Sequence, residues 1–255
     1  MYLSGLFGFR ALFAWNSPGL FVATLVVTPV MQVLFFVTLG AAFDYQNASF
    51  FVIGNAVQVA AAAGISGMVS VIADERQIGT LSSIIGSPSS STTVFIGRTL
   101  PGVVLGFLVS ALTAVLGFSL TGSPIPPDHL LLFALVLAVA AFSCTALGLF
   151  LSALGLLYRD IYQIAGAAYL LLLIVSGANF LRQDLPGWVQ LLGGVLPQAH
   201  AIDAARSLAV GVGAGSAWAS TLLEFVVGVG WLLLALVGMK VLESLARKRA
   251  TLDLY

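Results

Sequence analysis

The residues able to do chemistry in this chain are few, so each can be weighed separately. Glu224 is the one acid deep inside a long apolar run. A carboxylate there is costly and marks a functional site by default. It could meet a cationic substrate, tie a neighbouring segment to its own helix, or pair with Arg182, Arg206 or His200. His200 and Asp203 stand three residues apart, with Arg206 three further on. One imidazole and one carboxylate fall short of a metal site, and a local Asp203–Arg206 ion pair is the simpler expectation. Gly64-Ile65-Ser66-Gly67 sets a serine between glycines, a nucleophile only if a base lies within hydrogen-bond reach. The two histidines, His129 and His200, fall at or beyond the far ends of the apolar segments. Close contact between helices is the better use of these small residues. Gly102 and Gly106 form a second small-residue pair of that kind. Lys240 and Lys248 are the only lysines, and neither follows a GxxxxGK phosphate loop, so the chain does not hydrolyse nucleotide by itself. Cys144, the single cysteine, sits in an apolar run; it rules out a disulfide framework and a thiolate metal site, and reads as a small core residue.

The polar stretch that stands out is Asp74–Arg98, DERQIGTLSSIIGSPSSSTTVFIGR. It lies between segments long enough to cross a bilayer, so it must reach water. Only 8% of the chain is charged and 60% is hydrophobic, with a mean hydropathy of +1.08. A water-facing surface cannot be built from so few charges: this is an integral membrane protein. A formal net charge of +0 leaves no basic face for nucleic acid.

A span takes about 20 apolar residues. The pattern predicts six, over 20–43, 50–73, 99–120, 130–151, 161–181 and 217–242. Residues 1–17 suit a short interfacial helix, broken at Asn16-Ser17-Pro18-Gly19, where Ser17 can cap and Pro18 can start the next helix. Pro186–Pro197 is about half a span, interrupted by Gly187, Gly193 and Gly194. Residues 182–215 are therefore expected to form a re-entrant hairpin packed against protein. The fold class is all-α, one transmembrane domain over 1–255. With six spans, Arg10, Arg76, Arg98, Arg159, Lys240, Arg247, Lys248 and Arg249 share one side, against Arg182 and Arg206 on the other. That asymmetry predicts that both termini, and the 74–98 insert, are cytoplasmic. The hairpin then lies at the outer face.

Several stretches, in order, resemble the type-2 ATP-binding-cassette (ABC) export permeases. The insert matches that family's pattern of a Glu-Arg pair, Gly-Thr-Leu, Ser-Pro and Gly-Arg, here Glu75-Arg76, Gly79-Thr80-Leu81, Ser87-Pro88 and Gly97-Arg98. Ser82 stands where the family often has Glu. ALGLLYRDIYQI is similar to the family's short turn between fourth and fifth spans, here with Arg159-Asp160. The outer segment has Leu185-Pro186, Trp188, Pro197 and Arg206 in matching order. The nearest group is the daunorubicin-resistance-like drug exporters; the Tyr-Arg-Asp turn is also similar to polysaccharide and teichoic-acid exporters.

The resemblance implies a permease subunit with no catalytic residue, metal or cofactor of its own. ATP and Mg would sit on a separate ATPase, present in two copies, beside a second permease copy, identical or paralogous, in a bacterial or archaeal plasma membrane. Asp74, Glu75, Arg76, Gly79, Thr80, Leu81, Ser87 and Pro88 would form a coupling helix, flanked by Arg159 and Asp160. Pro186, Trp188, Pro197, His200, Arg206 and Glu224 would belong to the outer hairpin and gate. The expected cargo is hydrophobic or amphipathic (a drug, lipid or glycolipid) moved outward between the copies along the first, second and fifth spans. A secondary transporter or channel without ATPase is the rival reading; inverted repeats would favour it, and the two halves differ in loop pattern.

Overall fold

Backbone in lipid must satisfy its own polar groups, which favours helix in a chain this apolar. The computed structural model describes residues 18–80, 91–122, 125–158, 160–211 and 214–249, and among these residues it is all-helical, without strands. Eight helices follow in order: α1 (Pro18–Phe43), α2 (Ala48–Ile78), α3 (Ser91–Thr121), α4 (Leu130–Leu154), α5 (Ile161–Val175), α6 (Gly187–Val195), α7 (Ala199–Val210) and α8 (Ala214–Arg249). Five of them, α1 to α4 and α8, contain stretches long and apolar enough to cross a membrane.

α2 is the axis of the molecule. Asn47 starts it by accepting a hydrogen bond from the Phe50 amide at 3.2 Å. Gly79 ends it at φ 78°, a left-handed cap that returns its N–H to the Arg76 carbonyl. Nothing between these signals breaks a helix. The second span therefore runs past Ala73 to Ile78, and Asp74, Glu75 and Arg76 occupy its last turns rather than a loop. α3 likewise begins at Ser91, so both ends of the expected 74–98 insert are helical. Its middle, with Leu81, Ser87 and Pro88, lies outside the described residues, as do the interfacial helix expected over 1–17 and Arg159.

Residues Phe50 to Ala61 of α2 are buried on every face. Around them pack α4, α3, α1, α5 and α7, with α8 against the far side of α4. Without a hydrophobic drive between helices in lipid, association rests on close fit of small residues. A Cβ on Gly148 of α4 would lie 2.6 Å from the Gly64 carbonyl oxygen of α2. One on Gly106 of α3 would meet the Ala141 methyl at 3.2 Å. Of the glycines read from sequence as contact residues, Gly64, Gly102 and Gly106 are points where α2, α3 and α4 touch, while Gly67 meets nothing within 4 Å.

The fifth span departs from its expected extent of 161–181. α5 stops at Val175 after 15 residues, about 22 Å of helix against the ~30 Å hydrocarbon core. Gly177, at φ 79°, turns the chain out of the helix. Irregular chain follows, and α6 and α7 come after it as a helical hairpin.

Candidate functional site

Irregular backbone at membrane depth survives only where protein satisfies it, and this explains a group of buried polar side chains. Asn55 donates to Asn179 Oδ1 at 2.9 Å and accepts from Gln32 at 2.8 Å. Ser176 donates to Gln58 Oε1 at 3.4 Å. Arg206 donates to the Ala178 carbonyl at 2.9 Å, its guanidinium 3.5 Å above the centre of the Phe50 ring. Tyr45 accepts from the Leu181 amide and donates to Asp184 Oδ2. Asn55 and Gln58, three residues apart on one face of α2, were not singled out from the sequence. Their presence in an otherwise apolar span was the available signal.

At the other end of α2, polar residues bind the helix to the turn between α4 and α5. Arg76 donates to the Leu156 carbonyl at 2.8 Å and to the Tyr158 carbonyl at 3.1 Å. Tyr162 of α5 donates to Asp74 Oδ1 at 2.7 Å. The Asp160 carbonyl accepts from the Gln163 amide in the first turn of α5. Thr80 donates its hydroxyl to the Glu75 carboxylate and its amide to the Glu75 carbonyl. Asp74, Glu75, Arg76, Gly79, Thr80 and Asp160 therefore lie at one end of the bundle. The start of α2 is 26 residues away, about 39 Å along the axis.

Between these ends a cleft of about 620 Å³ opens among α1, α2, α3 and α5. Its polar groups come from Thr28, Gln32, Ser66, Ser70, Tyr162 and Tyr169; the remaining wall is apolar, and no charged side chain lines it. The Gly64–Gly67 motif divides here. Gly64 packs on α4, while Ser66 and Gly67 face the cleft. His129 bonds to the Leu208 carbonyl and His200 to the Gly194 carbonyl, both in the hairpin half. Ser66 gains no base.

The hairpin is fastened on two sides. Glu224 of α8, with 0% exposure, accepts from the Ser143 hydroxyl of α4, from the Gln198 amide at 2.8 Å and from the Ala201 amide at 3.3 Å. A carboxylate thus caps the start of α7, where free N–H groups and the helix dipole favour negative charge. Gln198 sits at φ 86°, a conformation that costs a non-glycine residue about 1–3 kcal/mol. Its side chain donates to the Val57 and Gln58 carbonyls of α2. Glu224 pairs with none of Arg182, Arg206 or His200 by a recorded hydrogen bond or ion pair. The expected Asp203–Arg206 pair is also corrected: Asp203 binds Arg182 at 2.9 Å, while Arg206 turns to the end of α5. Burial draws the Arg206 guanidinium down to about 10, which leaves it charged at neutral pH. Pro197 is buried beside Gln198, Pro186 precedes α6, and Trp188 is 67% exposed on α6, apart from the Glu224 cluster. Among the described residues no three His, Cys, Asp or Glu side chains gather as metal ligands.

A family model described as "ABC-2 type transporter" matches residues 6–210, most of the chain. The protein belongs to the ABC-2 type transporter family. The ABC-2 match takes in α1 to α7, with the cleft, the Asp74–Arg76 end and the hairpin; α8 and Glu224 follow it. ABC transporter G family member 20 of Dictyostelium discoideum is 30% identical over 139 residues, 54% of this chain and 18% of that protein. The probable multidrug ABC transporter permease YbhR of Escherichia coli K12 is 24% identical over 167 residues, 65% of this chain and 44% of that one. The chain thus spans less than half the length of the curated relatives it matches. Among the described residues it is all-helical, with five helices long and apolar enough to cross a membrane, as suits a multi-pass member of that family.

Proposed function

We propose that this permease is the membrane subunit of an ATP-driven exporter, worked by a separate ATPase that docks at the Asp74–Arg98 segment. The observation that carries the reading is the double tie of α2 to the α4–α5 turn, through Arg76 to two carbonyls and through Asp74 to Tyr162. A push on this end cannot move α2 alone; it moves α5 with it. Both helices line the cleft together with α1 and α3, so a docked motor that shifts the pair against α1 and α3 would change the cleft's width. Switching between inward- and outward-open packings is then a rigid-body change of the bundle. The companion carries the nucleotide and its Mg, and a second permease copy completes the path. Both termini face the cytoplasm.

The cleft's chemistry favours a cargo with an apolar body and uncharged hydrogen-bonding groups, a drug or lipid rather than a bare ion. Hydroxyls and one amide offer bonds there, and no carboxylate awaits a cation. YbhR's description as a probable multidrug permease agrees with such a cargo.

The test is Glu75→Arg in the complex purified with its nucleotide-hydrolysing subunit. Reversing a charge at a docking contact costs several kcal/mol of complementarity. The variant is expected to insert normally, and ATP turnover no longer responds to cargo while transport falls at least tenfold. Cargo-stimulated turnover and transport at wild-type rates would overturn the docking role.

A further inference from the structure

The hairpin contributes no residue to the cleft's lining, and its seat has two unlike halves. Toward α2 it is held by uncharged amide-to-carbonyl bonds from the Gln198 side chain, and toward the chain that follows α5 by Arg206 on the Ala178 carbonyl. Toward α4 and α8 it is held by one carboxylate, to which a hydroxyl and two backbone amides of the chain entering α7 converge. The Gln198 and Ala201 amides point into fully buried space. Once Glu224 is lost, nothing within that contact replaces it as acceptor. The unusual backbone at Gln198 is what aims the first of these amides at the carboxylate while its side chain reaches back to α2. Gln198 is therefore the residue at which movement of α2 meets the fixed point on α8.

We propose that Glu224 is a positioning residue, a latch that holds the outer hairpin closed by capping α7 from α8, and that displacement of α2 releases it to open the cleft outward. The latch rests on the exporter reading for its purpose but not for its existence. It gives Glu224 a task unrelated to contacting cargo: the carboxylate is fully buried and does not line the cleft.

The native cysteine, Cys144, is buried beside Ser143 and interacts with Glu224 and Gln198, so Cys144→Ala is made first and an added cysteine reports on the hairpin. Ala199, the first residue of α7, is fully buried; Ala199→Cys should react with a membrane-impermeant maleimide only when the hairpin lifts. The chain is reconstituted in vesicles with its ATPase subunit, with and without ATP and orthovanadate. In the Ala199→Cys background, labelling is expected to be slow without nucleotide and at least tenfold faster with it. With Glu224→Gln added, which puts an amide N–H where an acceptor is needed, labelling is expected to be fast in both states. Ser143→Ala, which removes one of three donors, should raise the nucleotide-free rate on the order of fivefold. A Glu224→Gln protein that aggregates on size exclusion is unfolded; the Ser143→Ala arm then decides.

Slow nucleotide-free labelling in both variants overturns the latch. Equal labelling of the parent with and without nucleotide overturns its release in the cycle. Failure of the exporter reading shows separately, as wild-type vesicles that transport nothing on ATP while the nucleotide-free comparison still reads Glu224.

Discussion

At the scale of the residue, Arg182 and Arg206 show how differently the same side chain can contribute. Arg182 meets Asp203 in a pair whose side chains are 24% and 42% exposed, the regime in which an ion pair contributes about 0–1 kcal/mol. Arg206 satisfies a carbonyl of the broken end of α5 and stacks on Phe50. Losing it strands a buried acceptor, at about 1–3 kcal/mol, and forfeits a cation–π contact of about 0.5–2 kcal/mol. Thermal denaturation in lipid nanodiscs should separate them: Arg206→Ala lowers the melting temperature by several degrees, and Asp203→Asn barely changes it. Equal shifts would mean that the ion pair matters as much as the arginine cap. The sequence suggested the wrong pair here because a three-residue spacing on a helix is visible in the chain, whereas the true partners, 21 and 28 residues away, become neighbours only when the hairpin folds back. Glu224 was recognisable as an acid in an apolar run. Its partners were not, since two of the three are backbone amides, which carry no residue-type signal.

At the scale of the element, small residues decide which helices touch. Gly148→Ala would set a methyl 2.6 Å from a carbonyl oxygen and 2.9 Å from the Ile65 Cα, both backbone atoms of α2 that cannot turn aside. Overpacking of this kind costs about 1–3 kcal/mol and prises α4 from α2. Gly230→Ala on α8 meets nothing within 4 Å and should be neutral or slightly stabilising, since alanine favours helix by up to about 1 kcal/mol. Size-exclusion profiles and melting temperatures of the two variants check this; a tolerated Gly148→Ala would show that α2 and α4 are not held at that contact. The positions of the helices were largely legible from apolar runs and breakers, down to the hairpin between Pro186 and the last helix. Two boundaries were not. α2 absorbs Asp74 to Ile78 because charge does not end a helix without a breaker, and α5 ends early because Gly177 turns the chain out while Arg206 and Tyr45 meet the freed Ala178 carbonyl and Leu181 amide.

For the whole molecule, the decisive question is which side of the membrane each end of α2 faces. Residues 161–181 are a short helix followed by irregular chain, so whether the path from the Arg76 end to the hairpin end crosses the bilayer depends on both reaching the far side together. Asn55 bonds that irregular chain at Asn179, and Arg206 bonds both Ala178 and the Phe50 carbonyl of α2, so Gln183 is expected on the opposite face from Gln77. Both glutamines are exposed, and Cys144 is not. In intact cells expressing single variants, a membrane-impermeant maleimide is expected to label Gln183→Cys and leave Gln77→Cys untouched until the membrane is opened, in line with the concentration of Lys and Arg on the Gln77 side. Labelling of both from outside would mean that the chain does not cross at α5. The reverse pattern would turn the molecule over. The Asp74–Arg98 segment would then face away from any cytoplasmic ATPase, and the docking of a motor at Glu75 would fall with it.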